Sequence, residues 1–216
     1  MTAVHMTKGL AVMLMVCLAT IAQAQAPTND FPNQAAYDVL QLATDKLLNK
    51  VVDNHVLYVA DTDVFFSDVD DLLSSIIDFQ RIARRVMARH YKKAELEQQI
   101  AFKKAFKHSL LNVYAKALLD YSSERIVILP PTGNQKINLK RQRVEADFYS
   151  AAGRKIPVTY AMYLNKDSQW KIENIIVNGI NIGLTYRNQF SRLMKANNND
   201  VDRVITGWRS GLELDG

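Results

Sequence analysis

Histidine, cysteine and carboxylate side chains are the groups in this chain that could hold a metal, carry a proton or attack an electrophile. Their spacing gives them little to do together. Of the four histidines, His5, His55, His90 and His108, none has a second histidine, cysteine or carboxylate at ligand spacing, so no metal site is expected. The one cysteine, Cys17, sits in an N-terminal apolar run. Asp61, Asp63, Asp68, Asp70 and Asp71 cluster. A calcium loop needs a glycine for its sharp turn, and none is there, so these acids read as helix caps and a solvated face. No Gly-rich phosphate loop, nucleophile elbow or H-E-x-x-H occurs. Two carboxylates remain as a conceivable general base for an apolar substrate, Asp78 and Asp147. Helix capping explains Asp78 without further assumption. Asp147 alternates with inward residues and should face solvent. No catalytic residue and no cofactor is assigned.

What the chain has in quantity is apolar and aromatic surface. Phe102, Phe106, Leu110, Tyr114 and Leu118 recur at i+4 steps within Ala94 to Tyr121, which fits one side of an α-helix about 40 Å long. The opposite side carries Lys103, Lys104, Lys107 and Lys116 and is solvated and basic. Such a helix is ordinarily packed on a sheet. The alternative is a rail along a cavity for an elongated apolar ligand, and composition cannot separate the two.

The elements that must position these residues fall into three blocks. Asn33 caps a helix running to about Asn54, with Ala36, Leu40, Leu47, Leu48 and Val51 on one face. Asp61 opens a second helix, with Phe65, Val69, Leu72, Leu73 and Ile76 inward. Asp78 caps a third, from Phe79 to Ala88, with Phe79, Ile82, Ala83 and Val86 inward and Arg81, Arg84 and Arg85 outward. A short connection carrying Tyr91 and Lys92 leads into the long helix. After Tyr121 the period falls from 3.6 to 2. Val144, Ala146 and Phe148 alternate with polar residues, then Ile156, Val158, Tyr160, Met162 and Leu164 alternate across a second strand. Trp170 and Ile172 begin another, with Lys171 and Glu173 facing away, and the alternation breaks beyond Asn174 as at a bulge. The chain ends in helices, the first carrying Tyr186, Phe190, Leu193 and Met194 on one face. The fold class expected is α+β: a curved antiparallel sheet of about four strands, helices packed on one face, and an apolar cavity enclosed between them.

Length and composition set the outer bounds. With 216 residues, 48% hydrophobic and 23% charged, one globular domain is expected, and neither disorder nor a multi-span membrane protein. Lys8, the apolar run Gly9 to Ile21 and the small-x-small site Ala22-Gln23-Ala24 read as a cleaved export signal. Val16 before Cys17 counts against a lipid anchor. The expected division is signal 1–24, linker 25–32, one domain 33–210 and tail 211–216. Removal of Lys8 lowers the formal charge from +5 to +4, which suits anionic head groups or an acidic partner and does not imply nucleic acid. An exported chain of this size without disulfides fits a bacterial periplasm, and a monomer is expected.

Two stretches carry a resemblance. One is Asp78-Phe79-x-x-Ile82-Ala83-Arg84 followed by Tyr91, Ala94, Gln98, Phe102, Phe106, Leu110, Tyr114, Leu118 and Tyr121. The other is Tyr160-x-Met162 through Trp170-Lys171-Ile172, Gly179-Ile180-Asn181-Ile182 and Tyr186-Arg187-Asn188-Gln189-Phe190. Their order and spacing resemble the MlaC family of periplasmic phospholipid-binding proteins. Met87-Ala88 stands where that family often has Leu-Gly, and Asn181 where serine is usual. The resemblance implies a soluble carrier of glycerophospholipid between an outer-membrane complex, MlaA with porin, and the MCE-domain subunit of an inner-membrane ABC transporter. The apolar lining expected is Phe79, Val86, Tyr91, Phe102, Phe106, Leu110 and Tyr114 from the helices, and Val144, Phe148, Tyr160, Met162, Leu164, Trp170 and Ile172 from the strands. Ile182, Tyr186 and Phe190 complete it. Arg84, Arg85 and Lys92 are head-group candidates at the mouth. An enzyme using Asp78 or Asp147, and a lipid-free adaptor docking through the basic helix face, are the alternatives.

Overall fold

Local signals account for most element boundaries in the computed structural model, which describes residues 34–119, 125–131, 138–150 and 153–209, with side chains at all of these except 34, 59 and 112–119. The expected export signal, the linker, the Asn33 cap and the C-terminal tail lie outside the described residues. Helix α1 spans Gln34–Asp53. Asn54 ends it by donating its side-chain amide to the Lys50 carbonyl at 2.9 Å. A short helix α2, His55–Ala60, follows, which the sequence reading did not anticipate. Asp61 caps α3, Thr62–Ile76, by accepting the Asp63 and Val64 amides at 3.1 and 3.2 Å. Asp78 caps α4, Phe79–Met87, by accepting the Arg81 amide at 2.8 Å. A single 3₁₀ turn, Ala88–His90, leads towards the long helix α5, Leu96–Leu119.

The sheet is a five-stranded antiparallel meander in the order β1-β2-β3-β4-β5. Its strands are β1 Arg125–Ile128, β2 Arg141–Tyr149, β3 Lys155–Leu164, β4 Trp170–Val177 and β5 Ile180–Asn181. The fifth, two residues long, is the addition to the expected four. It exists because Asn178 and Gly179 adopt φ of 49° and 80°, a tight reversal that lets Ile180 pair with Val177. The expected bulge comes slightly earlier than predicted. Ala161 lies opposite Asn174 and Met162 opposite Ile172, so Glu173 is the extra residue. Helices α6, Ile182–Ala196, and α7, Val201–Arg209, close the described chain. Asn181 caps α6 by accepting the Leu184 amide at 3.0 Å.

Three apolar clusters hold the layers together. The inner face of the sheet packs on α1 and the end of α3 around Ala36, Leu40, Ile76, Val144, Met162 and Ile172. A helical cluster joins α4, α5, α6 and α7 around Val86, Phe102, Phe106, Phe190 and Trp208. A third, around Tyr58, Phe65, Val69 and Leu111, ties α1, α2 and α3 to α5.

Two expectations about outward residues are corrected. Asp147 was expected in solvent but is only 5% exposed, because the Lys155 side chain folds over it with Nζ at 2.7 Å. Glu173 was expected to face away and is 7% exposed, because the bulge turns it towards α4.

Candidate functional site

The apolar side chains singled out from the sequence separate into two groups. Val144, Met162, Trp170 and Ile172 are buried between the sheet and α1, with Phe148, Tyr160 and Leu164 half-buried beside them. Strand register puts them on one face, since Tyr160 lies opposite Val144 and Ile175, and Met162 opposite Ile172. Val86, Phe102, Phe106, Tyr186 and Phe190 are buried in the helical cluster, with Tyr91, Leu110 and Ile182 packed against it. Phe79 is buried under the Lys107 ammonium, which lies 5.5 Å from its ring centre. The Tyr114 side chain lies outside the described residues.

The aromatic face of α5 meets other rings, not the sheet. Phe102 lies edge-on to Phe190 at 4.8 Å and to Trp208 at 5.2 Å, and Phe106 lies edge-on to Tyr186 at 5.2 Å. Trp208 anchors this stack by donating Nε1–H to the Ser109 hydroxyl at 3.0 Å. Within the described part of α5, the expected rail is therefore a packed core.

The inner face of the sheet is different. Phe148, Tyr160, Leu164, Ile175 and Val177 all point towards the helical layer, yet each is only partly covered. Tyr160 is the most telling. Burial alone raises its phenol above the ordinary tyrosine range, and its hydroxyl has no hydrogen-bond partner among the described residues. The ring is only half-buried, so part of it stays uncovered on the inner face.

A polar lock joins the helical layer to the edge of the sheet. Glu173 Oε2 accepts from Arg81 Nε at 2.6 Å and from Arg85 at 2.9 Å. The Arg81 guanidinium also lies 4.0 Å over the Tyr163 ring. The Tyr163 hydroxyl donates to the Asp78 carboxylate, whose other oxygen caps α4. That hydrogen bond and burial hold the Tyr163 phenol above its usual range, burial contributing most. Asp78 thus has both oxygens committed, which fits a structural cap and not a general base. Arg81 and Arg85, expected in solvent, are held by Glu173. Of the head-group candidates, Arg84 stacks 5.7 Å from the Tyr91 ring, Lys92 is exposed, and Arg85 is engaged. Sequence reasoning missed Glu173 and Tyr163, because their partners lie on α4, far away in the chain.

Two clefts open along α5 and share Lys107, and the smaller one reaches this lock at Asp78. One, of about 610 Å³, is lined by Lys104, Lys107, His108 and Arg209 with Asp70. The other, of about 290 Å³, is lined by Lys103, Lys107 and Lys171 with Asp78, Ile77 and Phe79. Both are open and charged, so neither is the enclosed apolar cavity expected from the sequence. His90 is buried at the helical cluster, 6.0 Å from the Phe190 ring, and its pKa is lowered, first by desolvation and then by Arg89 and Lys93. It is a neutral packing residue. Among the described residues no three metal-ligating side chains converge, and no helix is long and apolar enough to cross a membrane.

Comparison with known proteins supplies the remaining context. A profile of the family described as MlaC protein matches residues 41–210. The chain is 35% identical over 176 residues to toluene tolerance protein ttg2D of Pseudomonas putida, covering 81% of this chain and 80% of that protein. It is 24% identical over 212 residues to the intermembrane phospholipid transport system binding protein MlaC of Haemophilus influenzae, covering 95% and 94%. Its fold matches the phospholipid-binding protein of Ralstonia solanacearum, solved with a phospholipid, with a TM-score of 0.70, 21% identity, and coverage of 81% of this chain and 95% of that one. The caps, the meander and the aromatic spacing all fall inside the matched span, and on these grounds the chain belongs to the MlaC family.

Proposed function

We propose that this protein carries glycerophospholipid across the periplasm, exchanging it with an outer-membrane complex of MlaA and porin and with the MCE-domain subunit of an inner-membrane ABC transporter, and so maintains outer-membrane lipid asymmetry. The domain over 33–210 does this as a monomer after an export signal has been removed. The observation that carries the reading is the partly covered inner face of the sheet, where Phe148, Tyr160, Leu164, Ile175 and Val177 await an apolar cover. The names of the Haemophilus and Ralstonia proteins, a phospholipid transport binding protein and a phospholipid-binding protein, support lipid as that cover.

Burial stabilises by roughly 0.8 kcal/mol per CH₂, so two ordinary acyl chains contribute on the order of 20 kcal/mol gross relative to water. Relative to a bilayer the gain is small, because the tails were already dry there. Such a carrier releases lipid into water slowly and needs contact with a partner to unload. Organic extraction of the purified protein followed by mass spectrometry is expected to find phospholipid. Protein that carries none, and takes none up from phosphatidylethanolamine–phosphatidylglycerol vesicles, overturns the reading.

A further inference from the structure

The smaller cleft has features that apolar binding alone does not use. Lys103 and Lys107 stand one turn apart on α5, and Lys171 approaches from the start of β4. Lys107 pairs with Asp70. Lys171 donates to the Ser75 carbonyl, leaving it further hydrogens to donate. Lys103 has no ion-pair partner among the described residues. Asp78 is the acid lining the cleft, and its oxygens are taken by the Arg81 amide and the Tyr163 hydroxyl. Positive charge is therefore in excess, inside a concave site with room for roughly ten waters. A concave cationic site concentrates anions more strongly than an open surface does.

The floor matters as much as the rim. Ile77 lines this cleft, packs on the sheet's inner-face cluster and bridges to Ile172. The cationic cleft and the apolar layer thus share Ile77 as a common wall. That juxtaposition suits a molecule that is anionic at one end and apolar at the other.

We propose that the Lys103–Lys107–Lys171 cleft binds the phosphate of a phosphate mono- or diester, with the apolar remainder of a lipid passing over Ile77 into the sheet layer. This rests on the carrier reading for the lipid, and on the cleft's own charge for the phosphate. It moves the polar end of the ligand away from Arg84, Arg85 and Lys92.

The test compares wild type with Lys103→Gln/Lys171→Gln, with charge-preserving Lys103→Arg/Lys171→Arg, and with the remote Lys195→Gln. Binding is measured by titrating dihexanoyl phosphatidylglycerol and, separately, inorganic phosphate, with phosphorus NMR as the readout. The glutamine pair is expected to weaken phosphatidylglycerol binding about tenfold or more, with the arginine pair and Lys195→Gln near wild type. Loss confined to phosphatidylglycerol identifies a lipid head group, and equal loss for inorganic phosphate identifies a free-phosphate site. Wild-type protein that lacks co-purified lipid but shows phosphate binding lost in the glutamine pair ends the carrier reading and leaves the cleft standing. A folded glutamine pair that binds both probes as wild type does overturns the proposal, as does wild type that binds neither.

Discussion

Glu173 and Ala88 show how single positions set the joint between helices and sheet. Glu173 is buried with two arginines on one carboxylate. Removing it leaves both guanidiniums without the carboxylate they share. The arginines are themselves partly exposed, so the cost is well below that of a fully buried pair. Glu173→Ala is expected to cost about 2 kcal/mol in urea denaturation. Ala88 has φ 48° and ψ −120°, a backbone that an L-residue adopts under strain. Ala88→Gly relieves the strain at the price of a more flexible unfolded chain, and a net gain of about 1 kcal/mol is expected, read as a rise in Tm.

At the level of elements, the proposed function assigns packing to the helical cluster and binding to the sheet's inner face. The face of α5 that carries Phe102 and Phe106 is stacked on α6 and α7, so shortening it opens a void among rings. Phe102→Leu is expected to cost about 2 kcal/mol and leave the co-purified phospholipid per folded molecule unchanged. The face of β4 that carries Ile175 is partly covered and lies opposite Tyr160. Ile175→Trp puts bulk where an acyl chain would lie. It is expected to lower co-purified lipid several-fold with little change in Tm, measured by mass spectrometry and calorimetry on the same samples. The reverse pattern would place the ligand in the helical cluster.

For the molecule as a whole, stability against pH follows from its buried phenols. Tyr58 joins α2 to α3 by donating to Asp68 at 2.7 Å, and Lys50 on α1 pairs with the same carboxylate at 3.0 Å. Burial first, then the Asp68 hydrogen bond and charge, push the Tyr58 phenol up from 10.0 to about 12. Tyr160 and Tyr163 are raised too, chiefly by burial. An unfolded tyrosine loses its proton near pH 10, where the folded one keeps it. The folded state therefore binds more protons over this range, and its stability is complete below pH 10 and lost as pH rises towards 12. The Tyr58 hydrogen bond, and then Lys50, hold Asp68 below the usual carboxylate range, so its share is present above that range and lost in acid. Urea midpoints from pH 8 to 11.5 are expected to fall for wild type, and less steeply for Tyr58→Phe. Equal slopes would remove Tyr58 as a cause.

What the sequence determined by itself was whatever depends on near neighbours. Period 3.6 and period 2 marked the long helix and the strands, and Asp61 and Asp78 marked helix starts, because a cap bonds amides two or three residues on. The inner-face set Val144, Tyr160, Met162 and Ile172 was legible for the same reason, since alternation assigns a side chain to a face. The tertiary structure decided what each face meets. The aromatic side of α5 could serve the sheet or another helix with one and the same pattern, and the rings of α6 and α7 took it. Arg81 and Glu173 are 92 residues apart, and neither position carries a local sign of the other. Lys103, Lys107 and Lys171 read as solvated charges one at a time and became a cationic cleft only when the fold placed α5 and the start of β4 around one opening. Periodicity fixes the direction in which a side chain points, and only the packing of whole elements fixes what stands there.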